Sequence, residues 1–376
     1  MTLALSAQQT RLLRLKSQRL LPSGNGLPTS AVETVEAVVG VQAQDLKAGQ
    51  LSLRARSTGL TASEIEESRQ VERSIAWVWC LRGTLHLVSA QDARWLVPFL
   101  GPGLIAGDRR RFEQLGWDES RAEDGLRLLQ EALEQQRELR RPEVTWLLKA
   151  HNLPSEGQAP VHLIYRAALE GRLCLGPDRD GQPTYVPFET WLGEPQSLAP
   201  EEALAKIARR YLAAYAPAGP KDLASWSGLK LGQAREAWRL IADQIEPVEA
   251  AGQTAWLLKE QLPWLEGDLE KQAGAEPNVR LLPRYDTYWM GYARRDLSVD
   301  PIHGRSVHPG GGQISAVLLV NGMARGNWKT QRRKAVLEVR LRPFESLAEE
   351  WRPHLEAEAA DLGRFLEEEA VLIVED

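Results

Sequence analysis

One arrangement recurs three times along this 376-residue chain. Short helical stretches are followed by two strands around a tight turn. In the first copy, periodic apolar residues predict helices over 7–20, 30–39 and 46–56, with Thr29 or Ser30 as a cap and Glu33 following it. A loop is expected over 21–28 and a short helix over 61–70. Ile75, Trp77 and Trp79 alternate as in a strand, Arg82-Gly83 turns, and 84–88 returns. The second copy has helices over 118–136, 141–148 and 160–170, then two strands around Asp178-Arg179-Asp180-Gly181. The third has helices over 200–215, 219–226 and 231–241, then strands 246–250 and 254–258 around Gly252. A short helix followed by a two-stranded wing is the winged-helix arrangement. In the last two copies a proline opens the middle helix and a tryptophan follows: Pro142 and Trp146, Pro220 and Trp226. Repetition of one supersecondary unit points to tandem duplication.

The texture changes after about residue 278. Stretches 279–283, 314–320, 323–329, 335–341 and 371–374 read as strands, joined by Gly-rich turns such as Asn321-Gly322. They predict a small β-barrel or a curled sheet. The acidic helix within 345–369 is expected to be a solvated face. The chain is therefore expected to be α+β: three tandem winged-helix domains at 1–115, 116–198 and 199–276, then a β-barrel with an acidic helix at 277–376.

Two cysteines leave no room for a disulfide framework, no apolar run reaches membrane-spanning length, and Arg11, Arg14, Lys16 and Arg19 interrupt any leader. A cytoplasmic monomer is expected. Net charge is −5, but residues 345–376 hold eleven acids and two bases, leaving +4 for the rest. Residues 321–342 hold seven bases (Arg325, Lys329, Arg332, Arg333, Lys334, Arg340, Arg342) against Glu338 alone. Such a cluster suits a phosphate backbone, or an ordinary solvated strand face.

Gly40 stops an apolar helical run, and Gln42-Ala43-Gln44-Asp45 follows. In extended backbone Gln42 and Gln44 point the same way; in a continuing helix they diverge. Paired amides could orient a water or a base edge, and a polar helix end is the plainer alternative. Arg82, Thr84 and His86 share one hairpin, and Tyr285, Asp286, Thr287 and Tyr288 precede Arg294 and Arg295. His303 and His308 give no convincing metal spacing, Gly310 to Gly312 lacks a phosphate-binding lysine, and there is no P-loop, no G-x-G-x-x-G on a strand-helix join, no G-x-S-x-G elbow and no H-E-x-x-H.

Val41-Gln-Ala-Gln-Asp45, Leu81-Arg-Gly-Thr-Leu-His-Leu-Val88, Leu281-Leu-Pro-Arg-Tyr-Asp-Thr-Tyr288, His308-Pro-Gly-Gly311 and Val317-Leu-Leu-Val-Asn-Gly322 together resemble the AlkZ/YcaQ family of bacterial winged-helix DNA glycosylases. The resemblance implies three winged-helix domains and a β-barrel around a DNA-binding concavity. It implies excision of N-alkylated purines, in some members from interstrand crosslinks. Gln42 and Gln44 match the Gln-x-Gln catalytic motif, whereas Asp45 falls one position late for the Gln-x-Asp variant and is given no role as base. Arg54, Arg56, Arg82, Thr84, His86, Tyr288, Arg294, Arg295, Arg325 and Lys329 are the expected contacts to double-stranded DNA, with no metal and no cofactor. An N3- or N7-alkylpurine is already cationic, so positioned water and acceptor oxygens suffice. A winged-helix DNA-binding protein without enzymatic activity, regulatory or damage-sensing, is the alternative.

Overall fold

The computed structural model describes residues 3–21, 26–266 and 276–375. Part of the loop expected over 21–28 lies outside them. The fold is α+β, and the chain forms two compact units, one of residues 1–65 and 204–376, the other of 66–203.

Within the smaller unit, 66–203, residues 119–187 run as three helices and a two-stranded hairpin, and the 25-residue helix Ala90–Gln114, not expected from the sequence, precedes them. Helix Glu119–Gln136 begins where Asp118 accepts the backbone N–H of Arg121 (2.9 Å), and buries Ala122, Leu126, Leu129 and Leu133 along one face. Helices Arg141–Ala150 and Ala159–Leu169 follow, then β5 (Leu173–Arg179) and β6 (Gln182–Pro187). Asp180 and Gly181 both take positive φ, 55° and 71°, as a tight hairpin turn requires. The hairpin of β3 (Ile75–Trp79) and β4 (Leu85–Ser89) joins it, giving the order β4-β3-β5-β6.

The larger unit holds the third helical set: Pro200–Tyr215, which enters it from Leu204, then Pro220–Ser227 and Leu231–Leu240. Its wing, β7 (Ile245–Ala250) and β8 (Gln253–Leu258), carries an unforeseen third strand. This is β1 (Leu3–Leu5), parallel to β7. The last strands, β9 (Val279–Leu282), β10 (Val317–Val320), β11 (Met323–Arg333), β12 (Val336–Pro343) and β13 (Ala370–Val374), form one sheet in the order β13-β12-β11-β10-β9. Among the described residues no ladder joins β9 to β13, so the backbone bonds give a sheet with two ends.

Strand β10 is buried at every position, because this end of the sheet is covered on both faces. Leu318, Val320, Val279 and Leu281 pack with Leu355, Ala359 and Leu362 of helix Arg352–Leu366. Val317, Leu319 and Leu282 pack on the other side with Leu12, Leu15, Tyr288 and Trp289. The expectation of a solvated acidic helix is corrected here. The helix covers a core, and its Glu358 is buried.

Candidate active site

Helix Ala31–Ala37 starts at the Ser30 cap and ends at Val38. Val39 (φ 57°) and Gly40 (φ 106°) then reverse the chain into the two-residue strand β2 (Val41–Gln42). At Asp45 the carboxylate accepts the backbone N–H of Ala48 (3.2 Å) and caps helix Leu46–Arg54. The backbone at Gln42 is therefore extended, not helical. Gln42 is 9 % exposed and Gln44 is exposed, with fully buried Ala43 between them. Asp45 is engaged as a cap.

The motif is held from both sides within the larger unit. Upstream, the Tyr215 hydroxyl donates to the Val38 carbonyl (2.9 Å), and Arg210 donates to that of Glu36 (3.2 Å). Burial pushes the Tyr215 hydroxyl up to about 12, so it remains a donor at neutral pH. Downstream, Arg56 donates to both oxygens of Asp286 (2.8 and 2.7 Å), with both side chains fully buried. Ser52 donates to the same carboxylate (2.6 Å), and Gln18 and Thr287 accept from Arg56. The same carboxylate also caps the turn Thr287–Met290 by accepting from Tyr288 (2.8 Å).

Arg54 donates to Glu358 (2.9 Å), Asp361 (2.8 Å) and the Leu281 carbonyl (3.1 Å). Burial alone would raise the Glu358 carboxyl, but Arg54, Arg280 and the Leu281 N–H outweigh it and hold it below its ordinary value. The helix after the glutamines is thus fastened by two buried ion pairs whose partners lie more than 200 residues away.

These contacts correct several expectations. Arg54 and Arg56 have no surface for a phosphate: they are 2 % and 0 % exposed and ion-paired with carboxylates. Tyr288 is buried, its hydroxyl bonded to Ser298 and to the Gly322 carbonyl (both 2.9 Å). His86 is buried in the smaller unit, its Nδ1 3.0 Å from the Thr84 carbonyl oxygen. Burial, with Arg82 nearby, lowers it to about 3, so it is neutral at pH 7. The positions on its hairpin turn, Arg82 (φ 55°) and Thr84, are half-buried, and the Thr84 hydroxyl donates to the Leu81 carbonyl (3.2 Å).

Arg294 is exposed and ion-paired with Asp296, and half-buried Arg295 donates to the Trp289 carbonyl (2.9 Å). In the β11–β12 hairpin Asn327 and Lys329 alternate with buried Gly326 and Trp328 and share a face with Arg333, Arg340 and Arg342, whereas Arg332 lies on the other face, Lys334 in the turn and Arg325 at a register shift. Lys329 is paired in register with Arg340, and Asn327 with Arg342. Arg332, Arg333 and Arg340 are neutralised by Glu368, Glu338 and Glu375. Lys329 and Arg342 are exposed and have no carboxylate within 4 Å among the described residues; half-buried Arg325 lies 5.9 Å above the Trp351 ring.

Sequence reasoning missed the roles of Glu358 and Tyr215 and the partner of Asp286. Asp286 could be singled out within the 281–288 motif, but nothing local showed that its partner was Arg56. Among the described residues no three His, Cys, Asp or Glu side chains group as a metal ion would require, and no helix is long and apolar enough to cross a membrane.

A family model described as DNA glycosylase AlkZ-like matches residues 35–365. An interstrand DNA cross-link repair glycosylase of Streptomyces sahachiroi is 26 % identical over 328 residues, covering 80 % of this chain and 82 % of that protein. The solved structure of the Streptomyces sahachiroi DNA glycosylase AlkZ superposes with a TM-score of 0.78 at 22 % identity, over 99 % of this chain and 100 % of that one. With the family model spanning most of its length, the chain belongs to the AlkZ-like family of DNA glycosylases.

Proposed function

We propose that this chain hydrolyses the N-glycosidic bond of N3- and N7-alkylated, cationic purines in duplex DNA, as a monomer without a cofactor. Gln42 and Gln44 are the catalytic pair. One observation carries the reading: Gln42 ends an extended strand, Gln44 follows exposed two residues later, and buried ion pairs fasten the helix that comes next. The Ala43 methyl is turned towards Gly49, and Gln44 follows it in a bend with its side chain exposed. Two amide oxygens there accept hydrogen bonds from a water and face the positive charge that develops on the sugar. Neither is a strong base, so the reaction is confined to bases that leave unaided.

The three helix–wing sets are read as tandem winged-helix domains at 1–115, 116–198 and 199–276, and the last sheet as barrel-like, over 277–376. Lys329 and Arg342 on the outer hairpin face, with Arg325, Arg82 and Thr84 and the half-buried Arg295, are the remaining candidates for phosphate contact. The named activity of the Streptomyces relative extends the substrate class to purines in interstrand crosslinks. The site is assigned to the cytoplasm, with the DNA.

The test is incubation with a duplex carrying 7-methylguanine. Free base and an abasic strand are the expected products. Tight, damage-selective binding without released base would instead identify a sensor or regulator.

A further inference from the structure

Gly49 lies mid-way along helix Leu46–Arg54, where its N–H bonds the Asp45 carbonyl (3.1 Å) in the ordinary helical manner. Its φ is not in the left-handed region, so an L side chain fits the backbone. Glycine is a poor helix former, and alanine is the best. Local structure therefore gives no reason for glycine here, and space does. A Cβ on Gly49 would stand 2.9 Å from the Ala43 Cβ, 3.2 Å from the Gln42 carbonyl oxygen and 3.3 Å from the Ala43 Cα. None of these atoms is the far end of a flexible side chain; all belong to the short segment that carries both glutamines.

The helix cannot easily yield. Ser52 and Arg54 in the rest of the helix, and Arg56 just past its end, are bonded to Asp286, Glu358 and Asp361. Any added methyl would therefore displace the motif. We infer that Gly49 is a positioning residue for Gln42 and Gln44: the bare helix surface at this point sets where the pair stands. This deepens the proposed reaction and rests on it.

The test is a double-mutant cycle of Gly49→Ala and Ala43→Gly. Three quantities are read: single-turnover release of 7-methylguanine at saturating protein, duplex affinity, and Tm. Gly49→Ala is expected to slow release at least tenfold, with duplex affinity within threefold and Tm unchanged or raised. In the Ala43→Gly background, where the facing methyl is gone, the same substitution is expected to cost less than a further threefold. A merely structural glycine would lower Tm and would cost the same in both backgrounds. Release within twofold of wild type, or equal losses in both backgrounds, overturns the inference. If the wild-type chain releases no base, the proposed reaction fails first. The Gly49 inference is then judged on the side-chain amide resonances of Gln42 and Gln44. Gly49→Ala must shift them and the double variant must restore them; unshifted resonances reject it.

Discussion

Arg54 and Arg56 share residue type with Arg342, and almost nothing else. The first two are buried behind Glu358, Asp361 and Asp286, and fasten a helix. Arg342 stands exposed on the hairpin beside Lys329, with no carboxylate within 4 Å among the described residues; the Glu375 carboxyl, held low first by its bond from Arg340, also feels both charges. The same guanidinium is framework in one place and an exposed cation without a close ion pair in the other. What decides is the partner, because a buried charge is tolerated only when it is paired, whereas an exposed one remains available to a polyanion.

The comparison breaks most visibly at Asp286. Asp286→Ala would leave Arg56 buried without a counter-charge, and a loss of about 3–5 kcal/mol is expected by urea unfolding. A loss below about 1 kcal/mol would show that water reaches the pair and that Arg56 is not framework.

Acid should weaken the smaller unit through His86. Its folded value near 3 lies below the ordinary value of about 6.5, so the unfolded chain binds the proton more readily. The contribution is fully present above about pH 6.5 and is lost as pH falls towards 3, at up to about 1.4 kcal/mol per pH unit. Unfolding of wild type and His86→Gln across pH 4–7 checks this; the variant's profile should be flatter. An equally steep profile would place the titrating group elsewhere.

The smallest effects on stability belong to the exposed cations. Lys329→Ala and Arg342→Ala should each change unfolding free energy by less than about 0.5 kcal/mol. Each should also reduce the slope of log affinity against log salt for duplex DNA by about one. An unchanged slope would remove this face from the DNA interface.

The hairpins were legible because their turns are local chemistry. Asp180-Gly181 and Asn321-Gly322 carry positive φ at both positions, which those residue pairs accept readily. The arginine framework was not legible, because Arg56 and Asp286 are 230 residues apart and spacing along a helix says nothing about such a partner. Strand β1 was hidden for the same reason: three residues at the start of the chain pair with β7 at Val248–Ala250. The proline–tryptophan signature also misled in part. Trp226 is 2 % exposed and packs on Tyr211 and Tyr215, whereas Trp146 is 71 % exposed. Similar spacing in two repeats did not give similar burial. Of the candidate site, the glutamines could be found from sequence, but what holds them could not.

The most direct measurement is single-turnover release of 7-methylguanine by wild type and by the Gln42→Ala/Gln44→Ala double variant, at protein concentrations that saturate the duplex. The account predicts at least a hundredfold slower release by the variant, with duplex affinity within threefold of wild type. Release at the wild-type rate would contradict it, and so would loss of release that merely follows loss of binding.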